Sequence, residues 1–212
     1  MKKTVLALIF FTQSFLLLSS DSDPLTGKEK ETVIRRISET AKSINSIKSG
    51  FIQTKNISVL SEKIRSSGVF YYKSPGRIRW EYIKPYKYLI IYGGGKIFIN
   101  DSGKKNEFDS GSNRIFQQVN DVMFASISGK ITESPSFSVD IFRKSGRYIV
   151  RLVPKHSDVR KYVNSVEIFF DSRKNTVSEI NIYENSGDYT NIVFRDQKIN
   201  SVFSDDVFLS GN

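Results

Sequence analysis

The sequence predicts an α+β protein built on an antiparallel β-sheet with few helices to cover it. Three observations carry this. Aromatic residues make up 13% of the chain, with 16 Phe and 10 Tyr, a share that suits pleated, half-buried surfaces. From "SGFIQTKNISV" onward, short alternating or aromatic runs are divided by Gly, Ser, Asn and Pro turns. Only two stretches carry a helical repeat.

The elements follow in order. Lys2 and Lys3 precede a mostly apolar run, Val5 to Leu18, with Ser19, Ser20 and Ser22 after it, the layout of a secretory signal peptide. The run is only about 14 residues long and Thr12, Gln13 and Ser14 interrupt it, whereas a span needs about 20. Residues 1–20 are therefore expected to be cleaved, leaving 21–212 as one domain outside the cytoplasm. Residues 29–48 read as an amphipathic helix, because Val33, Ile34, Ile37, Ala41, Ile44 and Ile47 recur at spacings of three and four. Gly50 is its expected stop. Ser74-Pro75-Gly76 marks the turn of a hairpin over 68–83, and Gly93-Gly94-Gly95 divides "YKYLIIY" from "KIFIND". Residues 101–113 read as a polar loop. Ile115, Val119, Val122, Met123 and Ile127 fit a second helix over 114–128, and "FSVDIFR", "RYIVRLVP", "VNSVEIFFD", "TVSEINIYE" and "YTNIVFR" complete the sheet.

Catalytic constellations are not found. Without cysteine there is no disulfide scaffold and no lipid-bearing cysteine after the leader. His156 is the one histidine and falls in a loop, so no His/Cys metal site can form and a Ser–His–Asp set has no G-x-S-x-G elbow. "YGGGKIF" lacks the spacing of a phosphate loop and reads as a hairpin turn. Asp205 and Asp206 read as solvated turn residues. No enzyme, cofactor or metal is expected. The net charge of +10 is scattered rather than blocked. Export argues against a nucleic-acid partner, and both anionic lipid head groups and plain solubility account for the charge.

The most informative stretch is "GVFYYKSPGRIRWEYIKP". Its period of two puts Ile78, Trp80 and Tyr82 on one face and Arg77, Arg79 and Glu81 on the other. Large apolar and basic groups are thus separated. The apolar set is either packed core or the wall of a greasy site.

The same stretch resembles the signature hairpin of the periplasmic outer-membrane lipoprotein carrier (LolA-like) family, through Gly68, Tyr71, Lys73, Pro75, Trp80 and Pro85. "FIQTK" with Phe51 and Gln53, "GGGKIFIN", "LVPK" and "GDYTNIVFRDQKIN" resemble further family segments in the same order. The resemblance implies an unclosed half-barrel whose concave apolar face is covered by helices and shields lipoprotein acyl chains. The lipid-binding residues it implies are Ile78, Trp80, Tyr82, Phe70, Tyr72, Ile37 and Ile44. The helix at 29–48 and the insert at 114–128 become the lid. Many members carry arginine before the hairpin proline, where it helps hold the lid; here that residue is Ser74, with Lys73, Arg77 and Arg79 as its basic neighbours. The implied partners are lipoproteins, the inner-membrane ABC transporter that releases them and an outer-membrane acceptor, with the carrier a monomer in the periplasm. A carrier of glycolipid or another lipid is the alternative within the class. An exported β-domain that binds polysaccharide or protein is the alternative outside it.

Overall fold

The computed structural model describes residues 24–60, 62–110 and 135–209. Within them the chain is mostly β. Eleven strands form one sheet: β1 Ser46–Asn56, β2 Lys63–Lys73, β3 Arg77–Lys84, β4 Tyr88–Gly93, β5 Lys96–Asp101, β6 Lys104–Asp109, β7 Phe137–Lys144, β8 Arg147–Pro154, β9 Val163–Asp171, β10 Val177–Glu184 and β11 Tyr189–Ile199. The order is β6-β5-β4-β3-β2-β1-β11-β10-β9-β8-β7, and every pairing is antiparallel. Two hairpin-linked runs, β1–β6 and β7–β11, thus meet where β1 pairs with β11. β6 and β7 end the order without pairing to each other, so the sheet is not closed. Helix α1 spans Gly27–Lys42, α2 is the single turn Ser157–Arg160, and Asp205–Phe208 forms a 3-10 turn. The expected antiparallel sheet with few helices to cover it is found, and the class alone is corrected: among the described residues strands dominate, so the fold is mostly β rather than α+β.

Three boundaries differ from the sequence reading. The helix expected over 29–48 ends at Lys42, and Ile47 already lies in β1. The spacing Ala41, Ile44, Ile47 imitates a helical stripe although a corner intervenes. Asn200 explains the corner: its Oδ1 accepts from the N–H of Asn45 at 2.7 Å and of Ser46 at 3.4 Å, while its Nδ2 donates to the Ser43 carbonyl at 3.0 Å. Donors that would extend the helix are satisfied sideways instead. Gly50, expected as the helix stop, lies inside β1 beside a register shift against β11. Part of the polar loop expected over 101–113 is strand β6, paired along β5. It is an exposed edge strand, so it lacks the buried alternation that marks a strand in sequence. The helix expected over 114–128 falls outside the described residues.

One face of the sheet is apolar across both runs. Ile141, Val150, Ile168, Ile180 and Ile192 stand opposite one another from β7 to β11, and the row continues through Gln53 on β1. The next row runs Phe194, Phe51, Gly68, Tyr82 and Tyr88. Helix α1 buries Val33, Ile37 and Ala41, and its Val33 and Ile37 join these strand residues in one apolar cluster. Its start is tied to β7 by the Leu25 N–H donating to the Ile141 carbonyl and by the Glu29–Arg143 ion pair at 3.2 Å.

Candidate functional site

The site is the apolar face beneath α1. Strands β2 and β3 bring Phe70 opposite Trp80 and Tyr72 opposite Ile78. Phe51 enters from β1 and Phe194 from β11. Trp80 sits 4.9 Å from the Phe51 ring, 5.2 Å from Phe70 and 5.9 Å from Phe194, centroid to centroid, in tilted or edge-on contacts. Gly68 makes this grouping possible. A Cβ there would lie 1.8 Å from the Glu81 carbonyl oxygen and 2.9 Å from the Phe51 ring. The bare position lets Phe51 and Tyr82 approach to 5.1 Å across β2. The motif glycine is therefore a close-approach glycine rather than a turn glycine.

All seven residues expected to bind lipid are brought together. Ile37, Ile44, Phe70, Tyr72, Ile78 and Trp80 belong to one buried cluster, and Tyr82 packs against it half-buried. The face is dry: burial pushes the Tyr82 phenol up to about 12, and those of Tyr72 and Tyr88 upward as well. The Tyr82 hydroxyl donates to Gln53 Oε1 at 2.8 Å, which satisfies it within the apolar surround. The adjacent Trp80 indole partly opposes the rise at Tyr82, yet its Nε1–H meets no acceptor in hydrogen-bond geometry. Asn175 Oδ1 is likewise buried and unpartnered. Trp80 and Asn175 both line the free space under α1, along with Ile37, Ala41, Phe70 and Phe170. That space is about 40 Å³. An ordinary ligand pocket holds roughly 300–1,000 Å³. The face is thus a greasy surface with its cover seated.

The basic residues lie elsewhere. Arg77, Arg79 and Lys73 project from the other face of the sheet, where residues 201–209 cross it. Lys73 Nζ and Arg77 both pair with Asp205, Arg77 at 2.9 Å. The Arg79 guanidinium donates to the Val207 carbonyl and bridges to Glu81, each at 2.9 Å. Phe203 stacks edge-on against Tyr71, and Phe208 lies under the Arg77 guanidinium. These three cations hold the C-terminal segment. Ser74 is placed differently: its N–H donates to the Asn45 carbonyl at 2.8 Å, at the corner that ends α1. A groove of about 420 Å³ runs beside the C-terminal segment, and its charged groups are already engaged: Arg77 with Asp205, Lys96 with Glu107, and Asp206 accepting from the Ser204 hydroxyl. His156 is exposed at the start of α2.

Sequence reasoning missed Phe170, Asn175, Ile180 and Phe194. Phe194 had a signal, since Ile192 and Phe194 alternate in "NIVFR". Asn175 had none, because it sits in the β9–β10 turn.

The chain thus combines an unclosed antiparallel sheet with an aromatic-rich apolar face buried under an amphipathic helix. Residues 42–210 match the family described as outer membrane lipoprotein carrier protein LolA. The chain belongs to that family, which is one of carriers rather than enzymes. An outer-membrane lipoprotein carrier protein of Methylococcus capsulatus is 27% identical over 124 residues, which span 58% of this chain and 58% of that protein. Among solved structures, a DUF1329 family protein from Desulfovibrio piger shares the fold at a TM-score of 0.50 and 11% identity, covering 90% of this chain and 99% of that one. A LolA superfamily protein from Nitrosomonas europaea superposes at a TM-score of 0.45 and 11% identity, over 84% and 98% of the two chains.

Proposed function

We propose that the chain is a periplasmic carrier that takes up lipoprotein acyl chains between α1 and the Trp80 face and passes them from the inner to the outer membrane. In this reading the sheet curves around that face as an unclosed half-barrel, and α1 is its movable cover. The observation that carries it is the seated helix itself. α1 is held over an aromatic face chiefly by three apolar side chains, and an acyl chain offers the same apolar surface in exchange. The unpartnered Trp80 indole N–H adds a donor for an ester carbonyl on such a chain. Ser74 and Asn200, at the corner that ends α1, are where the cover would hinge. An inner-membrane lipoprotein-releasing transporter would load the carrier, and an outer-membrane acceptor would unload it.

Trp80 is the only tryptophan, so contact with cargo is readable directly. A peptide acylated with a brominated fatty chain should quench Trp80 emission, and its unacylated form should not. Absence of quenching at saturating acyl peptide would defeat the reading. Mass spectrometry of lipids retained by gently purified protein would separate lipoprotein from glycolipid cargo.

A further inference from the structure

The β1–β2 turn exposes two large apolar side chains side by side. Val59 is 87% exposed and Leu60 52%. The hairpin that carries them overreaches its neighbour. β3 ends at Lys84 opposite Ser67, while Lys63 to Ser66 pair only with β1, so the tip stands about 13 Å beyond β3 at roughly 3.3 Å per residue. The tip is nevertheless built. The Ser58 N–H donates to Asp188 at 2.8 Å and the Ser58 hydroxyl to the Ser186 carbonyl at 3.2 Å, which pins it to the β10–β11 turn. That turn in turn receives the next, as the Asn185 N–H donates to the Tyr162 carbonyl at 3.2 Å. The rim so formed exposes Tyr162, and the β3–β4 connection at the same end exposes Ile83 and Tyr86.

Charge follows the same rim. Lys63, Arg65, Lys84 and Lys87 are exposed and make no ion pair among the described residues. Two nearby acids are engaged, Glu184 with Lys55 at 3.1 Å and Asp188 with Ser58, while Asp101 stands opposite Tyr88 beside Lys87. Glu62 is the one acid within the tip.

We propose that this rim docks on an anionic lipid surface, with Val59 and Leu60 entering the acyl boundary and Lys63, Arg65, Lys84 and Lys87 meeting the head groups. Two apolar side chains on a convex point cannot bury the roughly 800 Å² per partner of a stable protein interface. A bilayer takes such side chains singly, strengthens the contact through neighbouring cations and accommodates tyrosines at head-group level. The proposal does not depend on the carrier reading.

Vesicle co-sedimentation of the chain as its host exports it tests the proposal. Phosphatidylcholine vesicles with and without phosphatidylglycerol are compared, and every variant is prepared in the same form. Wild type should bind the anionic vesicles, less so in high salt. The double variant Val59→Ser/Leu60→Ser should lower that binding at least about tenfold with its thermal midpoint unchanged. In Leu60→Trp, a blue-shifted emission component should appear when vesicles are added, a readout that stands if the double variant misfolds. No binding to either vesicle overturns the proposal. Full binding by the double variant, or no spectral change in Leu60→Trp, reduces the contact to charge adsorption and overturns insertion. Binding only to native membranes, abolished when their proteins are digested, assigns the rim to a protein partner instead.

Discussion

Ile37→Glu puts a carboxylate between α1 and the sheet, where Ile37 is 2% exposed. The helix is seated by Val33, Ile37 and Ala41. At about 2–3 kcal/mol for each large side chain and about 0.8 for the alanine methyl, the seat is worth about 6 kcal/mol. The variant removes the isoleucine share and leaves about 3 kcal/mol. To stay buried the glutamate must be neutral, and holding a group of ordinary pKa about 4.3 protonated near pH 7 costs about 3.7 kcal/mol. The seated state then lies about 0.7 kcal/mol above the unseated one, and about three in four molecules have α1 released. A free helix of 16 residues is marginal in water, so the segment unwinds while the sheet keeps its pairing. Hydrogen exchange should show residues 27–42 unprotected at neutral pH and β1–β3 still slow. Lowering the pH below about 4 should reseat the helix, since the penalty vanishes as the carboxyl protonates. Loss of protection in β3 together with α1 would show one indivisible core and refute a separable cover. Unchanged α1 protection would show that Ile37 does not seat it.

Further outcomes follow from single residues. Gly68→Ala should lower stability by about 3 kcal/mol in denaturant titration, because the new Cβ meets a backbone oxygen that no rotamer can clear. Asn200→Gly keeps the left-handed backbone, with φ of 54°, and removes only the side chain. It should cost about 1–2 kcal/mol and raise exchange at the α1–β1 corner before the strands respond. The Asp205 carboxyl is held below its ordinary 3.8 by hydrogen bonds from Lys73 and Arg77. Its contribution is therefore complete above that pH and fades as pH falls through the lowered value, so amides of residues 203–209 should lose protection in acid ahead of the sheet.

Much of the sheet was legible because its signals are local. Alternation placed Ile78, Trp80 and Tyr82 on one face, and the turns at Pro75 and Gly94 divide strands as read. What escaped depends on partners distant in sequence. The end of α1 is set by Asn200, more than 150 residues away, and no local pattern announces it. Arg77 and Arg79 were legible as a separate face but not as the seat of the C-terminal segment, which folds back from residues 203–208. The site residues were legible as a cluster, but whether they line a filled or an open space was not. Trp80 is 7% exposed with the helix seated, which alternation along β3 cannot reveal.

That closed interior bears on how a carrier of this design would work. The free space of about 40 Å³ is room for a few water molecules and far below the roughly 300–1,000 Å³ of an ordinary ligand pocket. In the proposed reading cargo does not enter beside α1 but replaces it. The exchange is feasible because the two contacts differ in size. Seating α1 is worth about 6 kcal/mol, whereas a long acyl chain, at about 0.8 kcal/mol per buried CH₂, brings on the order of 10. The surplus runs toward loading whenever a chain is presented out of the bilayer, and α1 prevents the empty face from exposing its aromatics to water. The same arithmetic makes unloading dependent on a second apolar environment, because release into water forfeits all the stabilisation that the buried acyl chain brings. In the reading proposed here, direction therefore comes from what stands at each membrane, and the chain itself contributes a face greasy enough to hold cargo and a cover weak enough to yield to it.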